Sequence, residues 1–208
     1  MVKVKICGIT DSEDARVCCQ SGADALGFIF CRQSPRYIPP RIAKKIISDL
    51  SPFISTVGVF VNEDKKQVYD IATFLNLDVL QFHGNEKPAY CNFFRPRFKV
   101  IKTFVSQRAF ENISLYKVDG YLFDVSWEDK KASKRTLKDS FLRKISKLKL
   151  KTAIISGGLT PDNVLQCVKK ANPYAVDVAR GVELFPGKKD KKLVRLFIKQ
   201  VKSIRDRG

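Results

Sequence analysis

Only one histidine, one tryptophan and one methionine occur among the 208 residues. With His83 as the lone imidazole, a Cys/His zinc cluster cannot be assembled, and none of the six cysteines (Cys7, Cys18, Cys19, Cys31, Cys91, Cys167) forms a Cys-x-x-Cys pair. No basic segment followed by a long apolar core opens the chain, and no apolar run approaches the ~18 residues that span a bilayer. Reduced thiols in a cytoplasmic protein are the simplest reading. The 11 glycines and 9 prolines follow no period, which excludes a collagen-like or low-complexity architecture. A hydrophobic fraction of 44% excludes wholesale disorder. Acidic residues are scarce, 21 against 39 Lys plus Arg, for a net charge of +18.

That charge is unevenly spread. Residues 1–127 carry 17 basic and 13 acidic side chains (+4), and residues 128–208 carry 22 and 8 (+14), ten of the basic ones between Lys130 and Lys151. A sequence-independent phosphate binder has this composition, and so has a protein whose helices show water a lysine-rich face.

Short apolar runs recur along the chain, at residues 2–7, 24–30, 55–61, 78–82, 98–104, 119–125, 152–156 and 175–179. They are rich in Val, Ile and Phe and too short for helices, so they read as buried strands. Helical patterns lie between them, at 12–21, 41–50, 64–76, 137–148, 161–171 and 188–204. Glu13 and Asp14 suit the first turn of the helix beginning at Ser12, and Thr160-Pro161 places a cap before a proline at the first helical position. Eight strand-and-crossover units predict a parallel sheet closed into a single (β/α)8 TIM barrel, one α/β domain over residues 1–208. The fold typically takes about 250 residues and as few as about 200. An open doubly wound sheet is the runner-up, but the turn after the first strand reads Cys7-Gly8-Ile9-Thr10, without the glycine fingerprint common there.

In a barrel of this kind the active site lies where the strands end. The residues at those ends are Cys7, the stretch from Arg32 to Arg36, Asn62, His83, Asp124, Gly157-Gly158 and Arg180-Gly181. Cys7 is either a buried inert thiol or, with a cation nearby, a nucleophile or general base. Asp124 closes the apolar run Tyr121-Leu122-Phe123, where a carboxylate serves proton transfer, a helix cap or a lysine partner. Strands one and six set Cys7 and Asp124 across the mouth from each other, as an isomerisation needs. Gly157-Gly158 before one helix, and Arg180-Gly181 after the last strand, bring backbone amides to where many barrels bind phosphate; ordinary tight turns are the other reading. Arg36 clamps a carboxylate or stacks on a ring, or is a plain surface arginine, and His83 orients substrate or is structural.

These residues in this order resemble the phosphoribosylanthranilate isomerase family. The likeness runs through Lys5-Ile6-Cys7-Gly8-Ile9-Thr10, Gly27-Phe28-Ile29-Phe30, Ser34-Pro35-Arg36-Tyr37-Ile38, Val57-Gly58-Val59-Phe60-Val61-Asn62 and Gln81-Phe82-His83-Gly84-Asn85-Glu86. It continues through Ser156-Gly157-Gly158-Leu159, Asn163, Val176-Asp177-Val178, Gly181-Val182-Glu183 and Pro186-Gly187-Lys188 with Asp190. The resemblance implies a cofactor-free, metal-free Amadori rearrangement in tryptophan biosynthesis. N-(5-phosphoribosyl)anthranilate would become 1-(2-carboxyphenylamino)-1-deoxyribulose 5-phosphate, with Asp124 as general acid and Cys7 as general base. Arg36 would meet the anthranilate end, the amides around Gly158 and Gly181 the phosphate, and Gly157, His83, Asp177 and Arg180 complete the implied substrate-binding set.

Two departures from the family stand out. Its Gly-Gly-Thr-Gly loop after the acid-bearing strand is replaced by Val125-Ser126-Trp127-Glu128-Asp129 and a basic run to Thr136, which makes a modified lid. The usual serine before Gly-Val-Glu is Arg180, which changes a hydroxyl on the phosphate to a charge. The implied partner is a small phosphorylated substrate, with neither nucleic acid nor membrane, acting on a monomer or homodimer. Two other functions compete. A basic nucleic-acid-binding protein accounts for the +18 but leaves the opposed thiol and carboxylate unexplained. A different phosphosugar aldose–ketose isomerase on the same barrel, the histidine-pathway one, usually has an aspartate where Cys7 stands.

Overall fold

The computed structural model of the chain describes residues 1–105, 112–124 and 138–204. Eight parallel strands close into a barrel in sequence order, β1 (Lys3–Cys7), β2 (Ala25–Ile29), β3 (Ser55–Phe60), β4 (Val79–Phe82), β5 (Lys99–Val105), β6 (Gly120–Asp124), β7 (Ala153–Ile155) and β8 (Ala175–Val178). The last pairs with the first, Lys5 opposite Asp177, so no strand edge remains open. The crossovers supply seven α-helices among the described residues: α1 (Ser12–Gln20), α2 (Pro40–Ser48), α3 (Lys65–Leu75), α4 (Pro88–Phe94), α5 (Asp139–Lys147), α6 (Val164–Ala171) and α7 (Lys191–Lys202). Between β5 and β6 the described residues hold only a 3-10 turn, Ile113–Leu115.

Local chemistry sets the helix ends. Asp11 caps α1 by accepting the Asp14 N–H at 2.8 Å, and Asp64 and Asp190 cap α3 and α7 in the same way. The expected start of α6 at Pro161 is corrected: residues 161–163 form a turn, closed by Asn163 Oδ1 accepting the Thr160 N–H at 2.9 Å, and the helix begins at Val164. A larger correction concerns the last helix, which begins at Lys191 and not at residue 188. Lys188–Lys189 is instead a short strand, β10, antiparallel to β9 (Glu183–Phe185) about the Pro186-Gly187 turn. The competing pull is tertiary. Lys188 Nζ reaches Asp11 and Asp14 at 2.9 and 2.7 Å, and Asp14 Oδ2 accepts the Lys189 N–H at 2.7 Å.

The main core lies between sheet and helices, with Phe28, Phe60, Phe82, Phe94, Phe123 and Phe197 fully buried. A separate small cluster, Leu122, Ile154 and Ala175 with Ile101, joins neighbouring strands in register and packs inside the barrel. Strand side chains alternate faces. Two residues further along the same four strands, the inward positions are therefore Thr103, Asp124, Ser156 and Asp177, all buried and all polar. The barrel is apolar below and polar toward the strand ends.

On α5, Phe141, Leu142 and Ile145 are buried while Arg143, Lys144 and Lys147 face water, so the described part of the densest basic stretch is a solvated helix face.

Candidate active site

Above the polar layer lies a cavity of about 380 Å³, walled by Arg36, Asp124, Ser156, Gly157, Gly158, Leu159, Thr160, Asp177 and residues 178–181. Seven of the nine residues named from sequence stand on this wall: Arg36, Asp124, Gly157, Gly158, Asp177, Arg180 and Gly181. Cys7 and His83 do not, but each is joined to a wall residue.

Cys7 ends β1 and is 6% exposed. Lys5, two residues earlier and so on the same strand face, places its ammonium beside the sulfur, and Lys5 Nζ donates to Asp177 Oδ1 at 2.7 Å. Asp177 Oδ2 accepts from the Ser156 hydroxyl at 3.3 Å. Asp177 therefore lines the cavity with both carboxylate oxygens engaged inside the protein. Burial pushes the Cys7 thiol above its usual range, and the Lys5 charge is the largest influence in the opposite direction.

Asp124, at the end of β6, lies with Oδ2 3.2 Å from His83 Nε2. His83 Nδ1 faces the amide nitrogen of Gln81 at 3.2 Å, and that nitrogen is 3.4 Å from the Thr103 hydroxyl. With Gln81 donating to Nδ1, the ring carries its proton on Nε2, pointing at Asp124. His83 thus orients the carboxylate.

The walls over β7 and β8 are backbone. Gly157 and Gly158 adopt φ of +85° and +68°, a region that strains side-chain-bearing residues. Among the described residues their amides have no hydrogen-bond acceptor, so both are available to an anion. Gly181 is required for a different reason: a Cβ there would overlap the Leu159 carbonyl oxygen, because the two loops touch at that point. Arg180 is exposed on the wall and has no ion pair among the described residues.

Arg36 is held by Glu183, which accepts from Nε at 2.9 Å and from Nη2 at 2.6 Å; among the described residues the Nη1 edge is left uncommitted. A Cβ on Gly8 would meet Arg36 Cδ at 2.7 Å, so the bare backbone after β1 makes room for this side chain. Glu183 also binds Lys189 Nζ at 2.7 Å, and Lys189 donates to the Cys7 carbonyl at 2.6 Å. One buried chain thus ties the end of β1 to Arg36. Of the remaining strand-end residues, Asn62 (φ +51°) accepts the Asn85 N–H at 2.6 Å and joins two loops, while Arg32 sits over the Tyr37 ring.

Sequence reasoning missed Lys5, Gln81, Glu183 and Lys189 as supports of the site. Strand parity was the available signal for Lys5, two residues before Cys7, and for Gln81, two before His83. Nothing local announces Lys189. The replaced lid, Val125 to Thr136, lies outside the described residues.

The chain is similar to known proteins over nearly its whole length. A model of the family described as "N-(5'phosphoribosyl)anthranilate (PRA) isomerase" matches residues 4–200. The N-(5'-phosphoribosyl)anthranilate isomerase of Geobacter sp. (strain M21) is 42% identical over 98% of this chain and all of its own length. Phosphoribosyl anthranilate isomerase from Thermotoga maritima superposes with a TM-score of 0.92 at 40% identity, over 98% of this chain and 100% of that one. A second solved chain, in complex with reduced 1-(o-carboxyphenylamino)-1-deoxyribulose 5-phosphate, has a TM-score of 0.88 at 39% identity, with 98% and 100% covered.

Proposed function

The chain belongs to the phosphoribosylanthranilate isomerase family, and we propose on that footing that Asp124 and Cys7 are the acid and base of its reaction. The enzyme performs the Amadori rearrangement of N-(5-phosphoribosyl)anthranilate to 1-(2-carboxyphenylamino)-1-deoxyribulose 5-phosphate, a step of tryptophan biosynthesis. The full-length match favours this reading over a nucleic-acid-binding protein or the histidine-pathway isomerase. The observation that carries the assignment of roles is the polar layer itself. Strand alternation brings Asp124 to the cavity wall and sets Cys7 beside Lys5, which donates to Asp177 on that wall.

Asp124 gives its proton to the furanose ring oxygen; the ring C–O bond breaks and a Schiff base forms. The Cys7 thiolate then takes the proton from C2, and the electron pair moves into the C1–C2 bond to give an enolamine. Tautomerisation of the C2 enol yields the ketone, and the loss of the Cys7 proton to solvent is matched by the uptake of one at Asp124, which restores both groups. Arg36 presents its Nη1 edge to the anthranilate carboxylate, and the Gly157 and Gly158 amides with Arg180 hold the phosphate at the far end. Gripping both ends fixes the reacting carbon between acid and base, which is where much of the acceleration of such reactions arises.

The loss of anthranilate fluorescence on mixing with freshly formed substrate tests the activity directly. Turnover is expected without added metal or cofactor, and its absence in correctly folded protein overturns the assignment. Gly181→Ala tests the phosphate site. The added methyl forces the Leu159 carbonyl away, so KM is expected to rise by about tenfold or more with a smaller change in kcat; an unchanged KM would remove this loop from the site. The chain is proposed to act in the cytoplasm as one barrel domain, as a monomer or homodimer that light scattering distinguishes. Among the described residues no helix is long and apolar enough to cross a membrane.

A further inference from the structure

Lys5 is a lysine buried inside a barrel, 4% exposed, on the strand that carries the proposed base. The reaction as described above does not use it. Packing alone does not require an ammonium there, because burying a cation is costly unless its partners are placed well. Three features place it. Asp177, its register partner on β8, accepts from Nζ at 2.7 Å and is itself fixed by Ser156. Cys7 lies two residues along the same strand, so both side chains project to the same face. On the neighbouring strand, the residue in register with Cys7 is Gly27. A Cβ there would lie 2.7 Å from Cys7 Sγ and 3.1 Å from both Lys5 Cε and Nζ. Strand β2 is bare where the ammonium and the thiol share space.

We propose that Lys5 is the counter-ion of the Cys7 thiolate, a positioning residue clamped by Asp177 that makes this buried thiol usable as a base. The proposal rests on the reading of Cys7 as the base and deepens it. A thiolate 6% exposed has almost no water to stabilise it, so a fixed cation must do so. The same charges act in the right direction. Burial works against the Lys5 ammonium, yet Asp177 and Cys7 together hold it above its usual range, so it stays a cation throughout the working pH range. Lys189, the other buried cation nearby, donates to the Cys7 carbonyl and not to the sulfur. Asp177 opposes the thiolate as a charge, so its contribution is to hold Lys5 in place rather than to activate Cys7 itself.

The test uses Lys5→Met and, because an unpaired Asp177 can prevent folding, Lys5→Met/Asp177→Asn, in which the pair is replaced by two neutral side chains. Two quantities are read on protein whose near-UV circular dichroism matches wild type. One is the rate at which iodoacetamide alkylates Cys7 at pH 8, resolved from the other five cysteines by peptide mass spectrometry. The other is the pH dependence of kcat/KM. The expected result is a tenfold or greater fall in Cys7 alkylation and a shift of the acidic limb of kcat/KM to higher pH by one unit or more. In Lys5→Met, kcat falls while KM stays within about threefold. Alkylation within threefold of wild type in a folded variant overturns the role of Lys5 and leaves the reading of Cys7 untouched. A slowed alkylation with an unmoved acidic limb overturns Cys7 as the base, and the proposal with it.

Discussion

Cys7→Ala is expected to lower kcat by about 10²–10⁴-fold, and Asp124→Asn by a similar factor, the range over which one positioned acid or base contributes. The two substitutions are mild in structure. The thiol meets the substrate only at the C2 proton in the proposed reaction, so losing its sulfur leaves the grips on both substrate ends in place and KM within about threefold. The amide introduced by Asp124→Asn is isosteric with the carboxylate, and its oxygen can still accept from His83 Nε2, so this protein should fold and bind normally. Acid and base act in successive steps of one reaction, so the double variant is expected to lose far less than the product of the two single effects. Fluorescence turnover assays on the three proteins decide the matter. Rates within threefold of wild type for either single variant would remove that residue from the chemistry.

The barrel is legible because its strands are buried on both faces, so eight apolar runs separated by crossovers announce themselves. The strand-end rule then selects Arg36, Asp124, Gly157, Gly158, Arg180 and Gly181 of the cavity wall, while Asp177, the last inward position of β8, enters only through the family resemblance. Two kinds of feature escape this reading. Short antiparallel pieces such as Glu183–Phe185 with Lys188–Lys189 have no hydrophobic period, so Lys188 and Lys189 read as the start of a helix until Asp14, 174 residues away from the first of them, claims both. Buried ion pairs are equally silent, because Lys5 and Asp177 are 172 residues apart in sequence and meet only when β8 closes on β1. Net charge misleads in the same way. The +18 includes Lys5, Lys102 and Lys189, which are internal and paired, as well as the solvated lysines of α5.

Glu183→Ala is expected to be the most damaging change away from the reacting groups. Glu183 receives two cations at once, Arg36 at 2.6 Å and Lys189 at 2.7 Å, and its side chain is 2% exposed. Removing the anion leaves Lys189, only 1% exposed, with an uncompensated charge, a defect that costs about 3–5 kcal/mol. At roughly 2–4 °C per kcal/mol for a chain of this size, the midpoint of thermal unfolding should fall by about 6–20 °C. Arg36 loses its anchor in the same step, so KM rises even where the variant is folded. Acid should act on the wild type through this group too. Burial favours the protonated form, but Arg36 and Lys189 outweigh it and hold the Glu183 carboxyl below its usual range. Its ionisation therefore stabilises the fold fully above the unfolded-chain value near 4.5, and that contribution is lost as pH falls through the lower folded value. Glu183→Gln keeps the shape and removes the titration, so its stability curve should flatten relative to wild type below about pH 4.5. Urea unfolding from pH 7 to pH 3 reads both effects. A Glu183→Ala protein as stable as wild type at pH 7 would show that the buried chain from Cys7 to Arg36 contributes nothing to holding the site together.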